Sequence, residues 1–527
     1  MTVEVEGRSF GSTIRRSAAW TTLDVMVGRG GQFLQGVIVA RILAPSDFGV
    51  FAVALVVHSI VINISELGVS AALVRDDDDK VERGAPTVAT IAIVSSIVLG
   101  ALMALSAAPL ASLLGSPQAS GAIAIMALTL PLAGISSVPS ALLRRHFRMD
   151  RIFVANMSNM VVTGIAVVAL AVAGWGPMAL AWSWVIGQAI TTVLLLTYKP
   201  GRFWPGWNRH EARRLIAFGL PLAGANLLSF SVLNVDYIVV GRVLGATVLG
   251  FYVLAFNISG WPMNVLGNVV RSVSLPGFSH LQRDGESMPE RFTGALNLVA
   301  TITLPVCLIL GALARPVITT VYGQKWSLAA SALVGLSVLG AARILIELAA
   351  DFLVTLGRTR EVFLAQLPWL IGLTGALVIG VQTHGIAGAG AAQAIVAIGL
   401  MFPIYGYMLT RAGVDPKGLV KAITPPLLWS LVSAAVAFVV ADQLSNSLLA
   451  GLAGGACGLI VYLVPHRTEL VEAIPVLLHR GSSELDEEST EPTVSGPTGT
   501  VQGLEESTPT DVESTDTGDR PEEESRE

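Results

Sequence analysis

The stretch VARILAPSDFGVFAVA at residues 39–54 has a counterpart further along the chain, VGRVLGATVLGFYVLA at residues 240–255. A second pair of segments, FRMDRIFVAN at 147–156 and GRTREVFLAQ at 357–366, aligns in the same order. The offset between aligned residues stays between 201 and 210, so we infer that one structural unit occurs twice in this chain. The matched positions include Arg41 with Arg242, Gly49 with Gly250, Phe51 with Tyr252, Arg148 with Arg358, and Phe153 with Phe363.

The composition of the chain indicates that the duplicated unit lies in a membrane. Of the 527 residues, 53% are hydrophobic and 13% are charged, and the mean hydropathy is +0.67. Apolar runs of about 18 to 25 residues recur along the chain, and each is long enough to cross a bilayer as a helix. They predict fourteen transmembrane helices, at 17–40, 48–74, 86–110, 119–143, 152–173, 177–198, 213–240, 246–270, 293–320, 328–356, 362–382, 386–410, 419–441 and 444–464.

The duplication predicts how these helices are arranged. The repeated unit contains six helices, and an even number gives both copies the same orientation, related by an axis along the membrane normal. We therefore expect an all-α polytopic membrane protein of two six-helix lobes plus two C-terminal helices, with a cleft between the lobes that suits alternating access. The predicted divisions are a cytoplasmic N-terminal segment (1–12), an N-lobe (13–200), a C-lobe (201–411), helices thirteen and fourteen (412–465), and a cytoplasmic tail (466–527) that is acidic and disordered from about residue 481.

The basic residues predict the orientation of these helices. With the N-terminus inside, 27 of the 33 Lys and Arg residues fall in cytoplasmic segments. Because positively charged loops stay on the cytoplasmic side, we expect a multi-pass protein of the cell inner (cytoplasmic) membrane with both termini in the cytoplasm. The net charge of −5 conceals this bias, because residues 481–527 alone carry a net charge of −13. Four basic residues fall in outward segments, namely Arg41, Arg242, Arg315 and Lys325.

Two further arginines fall inside predicted helices. Arg29 lies in VMVGRGGQFLQG (25–36) of the first helix and Arg343 lies in the tenth, and at about 1.5 Å of rise per residue both are near the bilayer midplane. An arginine at this depth costs at least ~2.5 kcal/mol and normally faces a bundle interior or a wet cavity. A helical wheel of the first helix puts its small and polar residues on one face, with Arg29 at the edge. That face consists of Asp24, Gly28, Gly31, Gln32 and Gln35.

The sequence leaves two interpretations of these arginines open. In one, Arg29 pairs with Asp24 or with a partner helix and Arg343 pairs with Glu347, so that ion pairs hold the bundle together. In the other, the arginines form a cationic patch for an anionic group of a substrate, to which guanidinium groups donate in a fork-like geometry. The remaining polar residues at depth are Asn226, Asn234 and Asn257, as further substrate-binding candidates, and Asp236, Asp351 and His58, as ion-pair or coupling candidates, with packing as the alternative for His58.

Several classes of function find no support in the sequence. It contains no Walker motif, no Cys, His or carboxylate spacing typical of a metal site, and no nucleophile–base pair. We therefore expect a protein that is not an enzyme and hydrolyses no ATP. It should need no metal or cofactor, and should have neither nucleotides nor nucleic acids as partners.

The first repeat also carries a family resemblance. R-I-L-A-P-S-D-F-G at 41–49, followed by SELGVSAALVR at 65–75, resembles the polysaccharide-type, Wzx-like flippases of the multidrug/oligosaccharidyl-lipid/polysaccharide (MOP) exporter superfamily. The resemblance extends over roughly residues 10–465 in helix number, repeat and order. It implies a flippase that translocates a polyprenyl-(pyro)phosphate-linked oligosaccharide across the membrane for the biosynthesis of lipopolysaccharide or another cell-surface polysaccharide.

The resemblance also implies roles for individual residues and partners. The pyrophosphate would meet Arg29 and Arg343, the sugars would occupy a volume lined by Asn and Gln side chains, and the isoprenoid would stay in membrane lipid. Polysaccharide polymerase or assembly proteins would be partners. One alternative is a multidrug/cation antiporter of the related branch, which should show buried acids unmatched by arginines. Another is a membrane-integral glycan polymerase or ligase, which would require a sizeable outward loop.

Overall fold

A computed structural model describes the backbone of residues 10–65, 78–198, 205–263 and 288–487. Side chains are described within these ranges except at some positions, chiefly 220–233 and 468–487. All regular elements in the described ranges are helical. The chain forms two compact units, Met1–Leu470 and Val471–Glu527, and both cavities considered below lie in the first unit.

The helices of the first repeat follow the predicted order. Their bounds are α1 (Phe10–Ile42), α2 (Pro45–Ser65), α3 (Asp78–Leu105), α4 (Ala107–Leu113), α5 (Ser120–Met126), α6 (Thr129–Arg145), α7 (Met149–Val172) and α8 (Pro177–Tyr198). The single helix predicted at 119–143 is divided between α5 and α6, with α4 as an additional short helix before them. Gly115, whose φ is 75°, and a 3₁₀ turn that begins at Pro117 separate α4 from α5.

The helices of the second repeat and the C-terminal pair follow in the same way. Their bounds are α9 (Arg209–Leu244), α10 (Ala246–Met263), α11 (Met288–Ala312), α12 (Ala314–Val321), α13 (Ala329–Thr355), α14 (Thr359–Val396), α15 (Phe402–Arg411), α16 (Pro416–Asp442) and α17 (Ser447–Glu487). Within α14, Gly385 has φ 59° and ψ −135°, so the chain breaks helical geometry at the short connection predicted between the eleventh and twelfth spans. Five residues of π-helix join α14 to α15, and α17 extends past its predicted end at residue 464.

The helices have the length and composition of a polytopic membrane protein. Eleven candidate membrane spans occur among the described residues, and one of them, Thr359–Arg411, has 53 residues and contains the break at Gly385. α1 is not among the eleven, because its polar face lowers its hydropathy. α9 is also absent from them, and part of its side chains lies outside the described set.

Local backbone structure recurs at the offset of the sequence repeat. α6 ends with Phe147 at φ 53°, and the amide of Arg148 donates to the Leu143 carbonyl at 2.9 Å. α13 ends with Gly357 at φ 76°, and the amide of Arg358 donates to the Leu353 carbonyl at 2.9 Å. This is the same helix-ending turn in both places. A glycine with positive φ and a 3₁₀ turn follow α4, with Gly115 at φ 75°, and also α12, with Gly323 at φ 100°.

The helices next to the polar face of α1 pack side by side. α1 lies along α7, and α7 lies along α8, while α2 packs against both α8 and α9. In the second half, α14 packs against α9 and α13. The contact between α1 and α7 places Gly31 directly against the Met160 side chain, where a methyl group at Gly31 would overlap the sulfur atom.

The end of α1 is held against the second repeat by reciprocal hydrogen bonds. The Arg41 guanidinium donates to the Thr320 carbonyl and, at 2.8 Å, to the Val321 carbonyl at the C-terminus of α12. Lys325 Nζ donates in return to the Arg41 and Leu43 carbonyls at 2.9 and 2.8 Å. Burial and the nearby Arg41 charge lower the pKa of Lys325. We call this contact the α1–α12 closure.

The two glycines matched by the repeat, Gly49 and Gly250, meet at the same end of the molecule. A methyl group at Gly49 in α2 would overlap the Ala246 carbonyl, and one at Gly250 in α10 would overlap the Pro45 carbonyl. The two residues matched by the sequence alignment are therefore in mutual contact, and each lets the backbone of the other repeat approach closely.

Candidate substrate cavities

A cavity of about 950 Å³ lies between α1, α7 and α8, with Phe48 of α2 contributing to its lining. We call it the N-cavity. Five of the residues predicted from the α1 wheel line it, namely Asp24, Gly28, Arg29, Gln32 and Gln35. They share one side of the helix because they recur at intervals of three and four residues. On the opposite side Met26 and Leu34 are 70% and 59% exposed, as expected for side chains in contact with lipid.

Arg29 is exposed in this cavity. Within the described part of the chain it makes no hydrogen bond or ion pair. Asp24 does not pair with it, because one Asp24 oxygen, Oδ2, accepts a hydrogen bond from Asn156 Nδ2 at 2.8 Å. The other oxygen, Oδ1, is buried without a hydrogen-bond partner among the described residues. The geometry thus leaves a guanidinium group in the cavity with its donors available.

The opposite wall of the N-cavity is also polar, and the sequence analysis did not identify it. Asn159 Nδ2 donates to Thr191 Oγ1 at 2.8 Å, which ties α7 to α8 beside the cavity. Gln188 and Trp184 of α8 complete this wall. The signal was present in the sequence, since Asn156, Asn159 and Thr163 recur at helical spacing within an apolar span, as do Trp184, Gln188 and Thr191.

A second cavity, of about 730 Å³, lies between α10, α13, α14 and α15, and we call it the C-cavity. Arg343 and Glu347 line it from α13, and Gln366 and Gln393 line it from α14. Its remaining walls are largely aromatic and aliphatic, with Phe256, Phe363, Trp369, Tyr405, Leu339, Ile346, Val362 and Leu373. The two midplane arginines therefore line different cavities, one in each repeat.

Arg343 of the C-cavity forms no ion pair with Glu347 among the described residues. Asp236 of α9 is fully buried. Asp236 Oδ2 accepts hydrogen bonds from the Tyr252 hydroxyl at 2.7 Å and from Gln393 Nε2 at 3.0 Å. Asp236 Oδ1 accepts one from the Tyr237 amide at 2.9 Å. This network joins α9, α10 and α14, and Gln393 extends it to the wall of the C-cavity.

The other predicted residues lie apart from both cavity linings. His58 is buried, and its Nε2 lies 2.7 Å from Thr129 Oγ1, while its ring contacts the edge of Trp184. Asn234 and Asp351 are half-buried, and Asn257 is exposed. The side chain of Asn226 lies outside the described residues.

Comparison with known sequences gives a consistent set of relatives. The chain matches a family model described as "Polysaccharide biosynthesis protein" over residues 38–331. It is 27% identical to the succinoglycan biosynthesis transport protein ExoT of Rhizobium meliloti (strain 1021) over 465 residues, which are 86% of this chain and 92% of that protein. It is 23% identical to the teichuronic acid biosynthesis protein TuaB of Bacillus subtilis (strain 168), over 64% of this chain and 70% of that protein.

Solved structures share the fold at low sequence identity. The lipid II flippase MurJ in an inward closed conformation superposes with a TM-score of 0.71 and 15% identity, covering 87% of this chain and 99% of MurJ. An inward-facing multidrug resistance MATE family transporter of the MOP superfamily gives a TM-score of 0.57 and 16% identity, covering 80% of this chain and 98% of the transporter. The chain thus has the fold of MOP transporters, and since the family model covers more than half of its length, it belongs to the polysaccharide biosynthesis protein family.

Proposed function

We propose that this protein is a flippase that translocates a polyprenyl-(pyro)phosphate-linked oligosaccharide across the cytoplasmic membrane by alternating access, for the biosynthesis of cell-surface polysaccharide. The observation that carries the proposal is the guanidinium of Arg29, which has no hydrogen-bond or ion-pair partner among the described residues and lies in a cavity whose polar lining is mainly amides and hydroxyls. A cation in such a place is costly without an anionic partner. A pyrophosphate supplies that partner, and the amides suit the attached sugars.

The relatives support this substrate class. Succinoglycan and teichuronic acid are the products that the names of the two relatives ExoT and TuaB give, and ExoT is called a transport protein. The structural neighbour MurJ is named for flipping lipid II. These names give the biosynthesis of a polysaccharide, transport, and the flipping of lipid II, and we propose that this chain combines them by flipping a lipid-linked glycan.

The helix arrangement that we propose is the predicted fourteen spans in two lobes. The eleven candidate spans become twelve when Thr359–Arg411 is divided at Gly385. α1 and α9, with 33 and 36 residues, are long enough to supply the other two. The recurrence of the Phe147 and Gly357 turns supports the two-lobed division at 13–200 and 201–411, with 412–465 as the appended pair.

In this arrangement the two lobes touch at the outer face. The positive-inside rule puts the ends of α1 and α12 outside, where the α1–α12 closure and the Gly49–Gly250 contact join the repeats. In a molecule closed at the outer face, the cavities are accessible to a substrate that enters from the cytoplasm. Release would require the closure to separate.

In this proposal the site residues have distinct roles. Arg29 and Arg343 provide one cation in each lobe for the pyrophosphate, and Gln32 and Gln35 face the sugars. Asn234, Asn257 and Asn226 are assigned to later contacts of the glycan along its path. Coupling to an ion or to the membrane potential would act on the acids near these cations, Asp24, Asp236, Glu347 and Asp351, with His58 as a further candidate.

A second candidate function is a multidrug/cation antiporter. The observation in its favour is the fold shared with a MATE transporter, together with the fully buried carboxylate of Asp236. It is the weaker candidate, because an exposed cation in the N-cavity repels a cationic drug.

The test is transport in a strain that lacks the gene. We expect the glycolipid to accumulate in the inner leaflet, and wild-type protein to restore surface glycan. Arg29→Ala should lower the restored rate at least ~10-fold, because charge-assisted hydrogen bonds contribute about 1.5–3 kcal/mol. Arg29→Lys should retain part of the rate. Arg213→Ala, at an exposed position near the start of α9, is the matched control. Full restoration by Arg29→Ala at normal expression would rule out the substrate contact.

A further inference from the structure

The N-cavity has an internal order that goes beyond a general polar lining. Contacts between α1 and α7 place residues of the two helices at matching levels. Asn156 bonds Asp24 at one end, and a Cβ at Gly164 would lie 3.8 Å from the Gln35 side-chain carbon at the other. The Asn159–Thr191 hydrogen bond sets the level of α8 beside Arg29. In the direction of the α1–α12 closure, Gln188 of α8 follows Thr191, and Trp184 lies about one helical turn beyond Gln188.

Three levels follow from this geometry, moving toward the α1–α12 closure. Arg29 lies at the first with Thr191, Gln32 and Gln188 lie at the second, and Gln35 and Trp184 lie at the third. Successive levels on α1 are three residues apart, or about 4.5 Å along the helix axis. This rise is close to the length of one sugar ring in a glycan chain.

The chemistry of the second and third levels is that of carbohydrate recognition. A side-chain amide offers both hydrogen-bond donors and an acceptor, as each sugar hydroxyl requires. The side chains of Gln32, Gln35 and Gln188 make no hydrogen bond to other described residues. An indole offers a flat apolar face for the C–H side of a pyranose. Trp184 is 38% exposed, and ring contacts to Phe51 and His58, at 5.7 and 6.0 Å between centroids, fix its orientation.

Charge restricts the class of sugar. Among the described side chains that line the N-cavity, Asp24 and Arg29 are the charged ones, and both lie at or before the first level. A carboxylate on a sugar at the second or third level would lose its hydration without meeting a cation. This region therefore favours uncharged rings.

We propose that the N-cavity binds and selects the two sugars nearest the pyrophosphate, as uncharged pyranoses. Gln32 and Gln188 contact the first ring, and Trp184 and Gln35 contact the second. This rests on the proposed function, because Arg29 sets the position of the pyrophosphate. Trp184 and Gln188 become residues that determine specificity, and they lie on a helix that contributed no candidate in the sequence analysis.

The test uses the full-length protein in nanodiscs and measures the binding of three probes. They are a polyprenyl pyrophosphate, the same lipid carrying a diglucose, and the same lipid carrying a glucosyl-glucuronic acid. We expect wild-type protein to bind the diglucose lipid about ten times more tightly than either of the other two. Trp184→Leu should lower affinity for the diglucose lipid by about tenfold and leave affinity for the bare lipid unchanged. Trp184→Phe should recover most of the loss.

Gln188→Leu provides a second variant in case Trp184→Leu does not fold, and the same selective loss is expected of it. The matched control is Trp429→Leu, at an exposed tryptophan of α16 outside both cavities. Equal weakening of the bare and the diglucose lipid, no weakening of either, or tight binding of the glucuronic acid lipid would overturn the proposal. Failure of the proposed function itself would look different, because wild-type protein would then bind none of the three lipids, or Arg29→Ala would leave all three affinities unchanged.

Discussion

At the scale of single residues, the two midplane arginines show what a sequence can and cannot decide. The depth of Arg29 and its polar face follow from counting residues along a helix, and the N-cavity contains that face. The choice between an ion pair and a free cation does not follow from spacing. Asp24 lies five residues before Arg29, which is not the three- or four-residue spacing of facing side chains on a helix, and its carboxylate is engaged by Asn156 of a different helix.

The hydrogen bonds of the Asp236 carboxylate lead to a prediction at the same scale. Its carboxylate accepts three hydrogen bonds in a fully buried position, so the loss of one donor leaves an oxygen poorly satisfied. We expect Tyr252→Phe to lower stability by about 1–2 kcal/mol. Asp236→Asn should cost more, because its NH₂ group would face the donors from Tyr252 and Gln393.

Thermal unfolding of the detergent-purified protein measures both changes. Tyr407→Phe is the control, because Tyr407 is 62% exposed and no hydrogen bond of its hydroxyl is found within the described residues. An unchanged melting temperature for Tyr252→Phe would mean that the network contributes nothing to stability.

At the scale of elements, α1 combines two demands that a single helix rarely meets. One face must hold a cation and amides, which costs free energy in the membrane, while its glycines let α7 approach. Gly31 lies against Met160, whereas Gly30 and Gly36 have no neighbour within 4 Å. Only some of the glycines of α1 therefore serve close packing against a neighbour.

The α1–α12 closure is built from helix ends. Carbonyls at the C-terminus of a helix lack intrahelical donors and carry partial negative charge. Arg41 satisfies two of them on α12, and Lys325 satisfies two at the end of α1. Trp326 Nε1 donates to the Ala40 carbonyl at 2.8 Å and so completes the contact. The contact also contains the fully buried side chains of Trp326 and Ala40, so separation of the closure would expose apolar surface as well as break these hydrogen bonds.

The contact between Gly49 and Gly250 beside this closure leads to a prediction at the scale of elements. In Gly49→Ala or Gly250→Ala the added methyl group would meet a backbone carbonyl, which cannot move aside as a flexible side chain can. Overpacking of this kind costs about 1–3 kcal/mol. We expect both variants to loosen the α1–α12 closure and to reduce glycan transport at normal expression.

Gly375→Ala is the matched control, because a methyl group there has no neighbour within 4 Å. It should be neutral or slightly stabilising, by about 0.5–1 kcal/mol, as for alanine in an open helical position. Cysteine labelling at the outer end of α1, together with transport, distinguishes the cases. If Gly49→Ala behaves like Gly375→Ala, the close approach of the two repeats is not required.

At the scale of the whole molecule, the repeat and the hydropathy were enough to predict an all-helical membrane fold, because both depend on patterns along one chain. The cavities depend on which helices are neighbours, and that information is spread across the sequence. Asn159 and Thr191 give no sign individually that they meet. The sequence therefore predicted the α1 half of the N-cavity and missed the α7 and α8 half.

Orientation is the property on which every statement about an inner or outer face depends, and cysteine accessibility tests it. Cys307→Ala and Cys457→Ala remove the two native cysteines. His146→Cys and Gln324→Cys are then added singly, at exposed positions in the turn after α6 and in the 3₁₀ turn after α12. Because basic residues cluster around His146, we expect an impermeant maleimide to label it only in inverted vesicles. Gln324→Cys should react in intact cells. Labelling in the opposite sense would place the α1–α12 closure at the cytoplasmic face, and the N-cavity would then have to receive its substrate from outside.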